Sequence, residues 1–251
     1  DVLNKGFVAN INFENRMPSV KIHGKENILP TSGRLVLPFE SINLNAVDIS
    51  IIKIYEQNVP QFLQENSLDG NNELRRVGKP IVQKTLRLDD DKTLDLHKKQ
   101  HFSLDIDKYL KTEQGAIYKV TIGFRPEYSL YVSADTTSAS PDEEEEDGYY
   151  GDYNEYSSSG GVDEDDAFWD RYDSYYPFGY NWNRRDDPTS KSYYNKDRWA
   201  TRNILASNIG LTAKRGNDNS LLVAVSNILT TEPMDAVDIE VMDYQRTIIS
   251  K

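Results

Sequence analysis

The chain has 251 residues, of which 37% are hydrophobic, with a mean hydropathy of -0.68 and a formal net charge of -12. The hydrophobic share is below the ~45–50% of an ordinary globular domain, so part of the chain is expected to lie outside any core. With no cysteine there is no disulfide, thiolate zinc site or cysteine nucleophile. No basic stripe invites nucleic acid and no apolar run approaches the ~18–20 residues of a membrane span.

The first residues, Asp1-Val2-Leu3-Asn4-Lys5, show no initiator Met and no signal-like charged or apolar region, so the chain reads as an internal fragment. Residues 1–17 are set apart as an N-terminal extension or edge strand. From 18 to 133, short runs with period-two alternation are separated by turn residues, the pattern of half-buried strands in an antiparallel β-sandwich. Strands are predicted at 19–23, 34–39, 47–55, 81–88, 101–106 and 117–128. Val47, Ile49 and Ile51 make one apolar face, and Tyr118, Val120, Ile122 and Phe124 make another. Two sheets turning these faces inward form a core. One short helix is predicted at 59–66, with Phe62 and Leu63 on one side.

Residues 134–198 break the alternation and are predicted to be an acidic, Tyr-rich insertion or linker of mostly irregular structure. Between 142 and 173 there are fourteen acids and one base, Arg171, so this stretch carries −13 and the rest of the chain sums to +1. The low pI belongs to the insertion and not to the fold. If 142–173 stands outside the core, its removal is expected to leave stability nearly unchanged. From 199 to 251 strand patterning resumes at 204–213, 221–229 and 237–243, with Lys214-Arg215-Gly216-Asn217-Asp218-Asn219 as a hairpin turn. Three strands in some fifty residues are about half a sandwich, read as the truncated start of a second domain.

The candidate sites are few. His97 and His101 have metal-ligand spacing only on a helix, and the local pattern is a turn entering a strand. Glu143, Glu145 and Asp147 are the calcium candidates, but Asn154 stands where a calcium loop places its bidentate Glu. Neither metal nor cofactor is expected. No phosphate loop, nucleophile elbow or HExxH run appears, and carboxylates in an open loop lack the apolar pocket that would split their pKa values. Tyr and acids together suit protein contacts, which makes Tyr149, Tyr150, Tyr153, Tyr156, Trp169, Tyr172, Tyr175 and Tyr176 the partner-binding candidates. Arg184 and Arg185, following Trp182, are positioned to clamp the acidic half of the insertion.

Residues 204–216 (ILASNIGLTAKRG), 220–233 (SLLVAVSNILTTEP) and 237–245 (VDIEVMDYQ) resemble the bacterial alpha-2-macroglobulins. Residues 24–33 (GKENILPTSG), 37–40 (LPFE), 54–56 (IYE), 61–64 (QFLQ) and 74–78 (LRRVG) resemble the domain that precedes this block in Gram-negative envelope members. The resemblance spans about three quarters of the chain. It implies seven-stranded antiparallel macroglobulin (MG) domains, with immunoglobulin- and fibronectin-like β-sandwich architecture, repeated along a parent that entraps attacking endopeptidases. It also implies a location in the periplasm, in an outer-membrane lipoprotein, or outside the cell. Implied partners are the other macroglobulin domains of the same parent and proteases, and the segment itself has no catalytic role. The competing reading is an extracellular adhesion or carbohydrate-binding sandwich that uses the aromatic, acidic loop.

Overall fold

The structure, a computed structural model, describes residues 16–31, 35–132, 164–174, 176 and 179–251. Two sheets face each other. Strands β1 (Ser19–Ile22), β3 (Val36–Ile42) and β6 (Gln100–Asp105) form a three-stranded antiparallel sheet in the order β1-β3-β6. The second sheet runs β2-β8-β7-β4-β5, built from β2 (Ile28–Leu29), β4 (Ala46–Ile54), β5 (Gly78–Arg87), β7 (Ile117–Gly123) and β8 (Ala200–Ala206). All its pairings are antiparallel except the two-residue β2, which runs parallel to β8. The two sheets make an all-β sandwich, with eight strands among the described residues where the resemblance implied seven.

Alternation decides which side chains meet between the sheets. Val47, Ile49 and Ile51 of β4 and Tyr118, Val120 and Ile122 of β7 point inward against Leu37 and Phe39 of β3 and Leu104 of β6. Each is 2% exposed or less. The predicted strand at 117–128 ends at Gly123, because Pro126 starts a single 3-10 turn, Pro126–Tyr128. Of the predicted helix, α1 (Val59–Glu65) forms with Pro60 in its first turn. Phe62 is buried but Leu63 is 45% exposed, since adjacent residues on a helix point about a third of a turn apart.

The predicted strand at 204–213 is two strands. Ala200–Ala206 is hydrogen-bonded along β7, with Ile204 opposite Tyr118 and Arg202 opposite Val120. The chain then breaks at Ser207-Asn208 and starts β9 (Ile209–Arg215), which pairs only with β10 (Leu221–Asn227). Residues 200–206, read from sequence with the segment starting at 199, thus complete the sheet of the preceding sandwich. Their apolar inward positions, Ile204 and Ala206, are fully buried there. The predicted strand at 237–243 shrinks to β11 (Val241–Met242), paired with β12 (Ile248–Ser250).

Residues 164–173 are helical where irregular chain was expected, while the described residues of 174–198 form three 3-10 turns joined by irregular chain. Helix α3 (Glu164–Asp173) lies on the outer face of the five-stranded sheet, with Phe168 and Trp169 7% and 5% exposed. They pack with Ile52, Ile54, Leu74, Val77 and Ile117, a second core on the far side of the sheet from the first. Arg75, in helix α2 (Leu74–Val77), meets Asp166 at 2.8 Å, and Lys79 meets Asp165 at 3.1 Å. Exposed pairs of this kind contribute little energy, so they set the helix register more than its affinity. Further along, Tyr193 and Tyr194 are buried in the first core. Their hydroxyls donate to the carbonyls of Pro18 at 2.7 Å and Pro188 at 2.8 Å.

Candidate functional site

The outer face of the five-stranded sheet is divided along the strands. At one end Ile52, Ile54 and Ile117 are apolar and carry α3. At the other the same parity places Asp48 and Ser50 of β4, Lys119, Thr121 and Gly123 of β7 and Thr201 of β8 on the outer face. These form the floor of a cavity of about 360 Å³, walled by Phe168, Arg171 and Tyr172 of α3 and by Lys196 and Trp199.

Each wall has a local cause. Lys196 donates to the carbonyls of Arg171 at 2.6 Å, Tyr172 at 2.7 Å and Ser174 at 2.5 Å. These lie at the C-terminal end of α3, where carbonyls lack helical partners and the dipole favours a cation. Desolvation lowers the Lys196 ammonium to about 8, while Asp173 pulls it upward. Trp199 lies flat against the sheet because Gly123 is beneath it: a Cβ there would come within 3.0 Å of the indole. Tyr172 stacks with Phe168 at 5.9 Å, and desolvation raises its phenol to about 12, reinforced by Asp173.

The lining is strongly cationic. Lys84, Lys119, Arg171 and Lys196 border the cavity, and among the described residues the one carboxylate there is Asp48. That carboxylate is already engaged, by Arg125 Nε at 2.8 Å, by the Tyr128 hydroxyl at 2.9 Å and by the Thr85 hydroxyl at 2.8 Å. Lys119 differs from the others in being only 5% exposed. It stands opposite Ile52 and Asn203 in the ladder, and its ammonium has no hydrogen bond or ion pair with any described residue. Burial lowers its pKa. Asn203, beside it, is committed to the carbonyls of Leu68 at 2.8 Å and Gly70 at 2.7 Å. The indole N–H of Trp199 is likewise buried without an acceptor among the described residues.

Of the residues singled out from sequence, Glu143, Glu145, Asp147, Tyr149, Tyr150, Tyr153, Tyr156 and Tyr175 lie outside the described residues. Trp169 is in the second core, and Tyr172 packs partly buried against that core at the cavity wall. Tyr176 is on the surface, stacked on Tyr180 at 4.3 Å with Trp182 at 6.2 Å. Arg185 lies 4.8 Å over the Trp182 ring and 3.6 Å from Asp186, and Arg184 meets Asp187. Both arginines therefore hold nearby acids, while Arg75 and Lys79 hold those of α3. His97 and His101 do not converge. His97 Nδ1 pairs with Asn43 Oδ1 at 2.8 Å, whereas His101 sits across β3 beside Glu40 and His23. One ligand atom from each of His23, Glu40 and His101 lies within 4.8 Å of the others, but Lys99 is already on that carboxylate at 3.0 Å.

Sequence reasoning passed over Lys119, although a lysine at an outward position of an otherwise apolar central strand was visible. It also passed over the i, i+1, i+4 aromatic spacing of Phe168, Trp169 and Tyr172, because fourteen acids nearby spoke for solvation.

The described residues thus form a largely antiparallel β-sandwich with helices packed over an outer sheet face, leading into an open β-hairpin. No family model matches it, and no curated protein matches it in sequence. Among solved structures it is similar to a crystal structure of native alpha-2-macroglobulin from Escherichia coli spanning domains NIE-MG1, at 13% identity and a TM-score of 0.49, covering 93% of this chain and 81% of that one. A crystal structure of the same protein spanning domains MG0-NIE-MG1 matches at 13% identity and a TM-score of 0.46, over 96% of this chain and 55% of that one. A cryo-EM reconstruction of its native conformation matches at 13% identity and a TM-score of 0.45, over 94% of this chain and 11% of that one.

Proposed function

We propose that this chain is a non-catalytic structural segment of a bacterial alpha-2-macroglobulin-like protein of the cell envelope, whose parent entraps attacking endopeptidases. The observation that carries the reading is where the family-like block falls. Residues 204–245 leave the first sandwich at β8 and pass directly into the β9–β10 hairpin, which supports the start of a second β module that the resemblance implies. The hairpin's large apolar side chains are uncovered: Leu211 and Leu221 on one face and Leu222 on the other are all at least half exposed. A sheet with such a face is stable when a second sheet covers it, which supports further macroglobulin domains of the same chain as its partners. Among the described residues no helix is long and apolar enough to cross a membrane.

The test uses the full-length parent, incubated with an endopeptidase and then separated by size. The expected result is a protease held in the parent's peak that still cleaves a small peptide substrate while losing activity on a large protein. Free protease with undiminished activity on both overturns the proposal, as does turnover of any substrate by this chain alone.

The surface cluster of exposed Tyr176 and Trp182 with half-buried Tyr180 favours a second reading, carbohydrate binding, because aromatic faces stack on sugar rings. A glycan array separates the two: binding lost on Trp182→Ala supports the second reading, and no binding removes it.

A further inference from the structure

We infer that the cavity beneath α3 is a binding site for a small organic carboxylate with an apolar, aromatic-sized body, seated with its carboxylate on Lys119. This goes beyond the scaffold role above and does not depend on it.

Lys119 is nine-tenths buried, lines the cavity, and has no counter-charge among the described residues. A buried ammonium without an anion is costly to a fold, and nothing in the packing of β7 requires one: Ile52, its neighbour on β4, is apolar at the same depth. The charge is explained if an anion completes it. The other cations on the rim, Lys84, Arg171 and Lys196, add attraction of the same sign, while Asp48 is neutralised by Arg125. Trp199 stands in the same wall, but its indole N–H is sealed from the cavity, so it contributes ring surface and not a donor. The hydroxyls of Thr121 and Thr201 on the floor can take the carboxylate's remaining lone pairs.

The rest of the lining selects the body of the ligand. Phe168, Tyr172 and Trp199 present rings to a space of about 360 Å³, at the lower end of the ~300–1,000 Å³ of small-molecule sites. Inorganic phosphate or sulfate would satisfy the ammonium but leave these rings facing water. A carboxylate on an apolar body uses both.

The experiment compares phenylbutyrate with its neutral amide on the 15N-labelled chain. The acid is expected to shift the indole N–H resonance of Trp199, identified by Trp199→Phe, and to bind at least about tenfold more tightly than the amide, the worth of one hydrogen bond to a charged group. Lys119→Met should remove that preference and leave the weaker, common affinity of the two compounds, while the spectrum elsewhere verifies the fold. Equal affinities for acid and amide in the unaltered chain overturn the inference, whatever the variant does. So does the absence of any shift at Trp199 with millimolar acid, or retention of the preference in Lys119→Met.

Discussion

Trp169→Ala is the sharpest test of how residues 164–173 are used. Trp169 is 5% exposed, packs edge-on to Phe168 at 5.2 Å and to Tyr172 at 5.4 Å, and lies in the cluster with Ile52, Ile54 and Ile117. A buried Trp removes ~150–250 Å² from water, about 4–6 kcal/mol at ~25 cal/mol/Å². The unfolded chain already hides ~10–40% of that area, which lowers the figure, while the emptied space and the lost ring contacts raise it again. The expected loss is about 4 kcal/mol, a large part of the ~5–15 kcal/mol that holds an ordinary domain. Urea unfolding followed by circular dichroism measures it. Amide exchange in α3 and in β7 tells whether the whole sandwich loosens or the helix alone lifts away. A residue of a solvated acidic loop would change stability by no more than about 0.5 kcal/mol. A loss below about 1 kcal/mol, with α3 amides as protected as before, refutes the packing argument.

Gly123→Ala puts a methyl group within 3.0 Å of the Trp199 indole, so overpacking of about 1–3 kcal/mol is expected, together with a changed Trp199 fluorescence; unchanged emission and stability would contradict it. Lys119→Met should raise the urea midpoint at neutral pH in the ligand-free chain, because it removes a buried charge with no counter-charge among the described residues; a fall of the midpoint would mean that Lys119 has a partner after all. The alkaline limb of the stability curve follows from burial of the phenols. Tyr172 is raised from 10.0 to about 12, and Tyr118, Tyr193 and Tyr194 are raised by desolvation as well. The folded chain keeps these protons where the unfolded chain has lost them, so their contribution is full below pH 10 and disappears as the pH climbs toward 12. Lys196 acts in the opposite sense between about 8 and 10.5, since there the unfolded chain is the one that holds the proton. Stability is therefore expected to hold or rise from pH 8 to 10 and fall above it, with phenolate absorbance rising in step with unfolding; phenols that all ionise near 10 in a folded chain would refute this.

The inner faces of the sandwich were legible in the sequence because a strand's parity is a local property. Val47, Ile49 and Ile51 and Tyr118, Val120 and Ile122 alternate whatever they pair with, and the structure buries all six. The turn at 214–219 was legible for the same reason, as polar and Gly residues between two alternating runs. Partner choice was not. Residues 200–206 read as the opening of a new module because they adjoin the hairpin in sequence, yet their hydrogen bonds go to β7, more than eighty residues earlier. Nor does local composition reveal that Arg75 and Lys79 answer Asp165 and Asp166, or that Phe168 and Trp169 close over Ile52 and Ile117. A charge count sees fourteen acids and predicts solvation. The fold brings Arg75 and Lys79 to Asp165, Asp166 and Asp170 from another part of the chain and gives Phe168 and Trp169 beside them an apolar surface. The cavity has the same origin: Lys119 is one lysine in a strand until β4, β8 and α3 close around it. Short-range alternation was settled by covalent order, whereas burial and charge pairing depend on contacts between distant residues, which only the tertiary structure supplies.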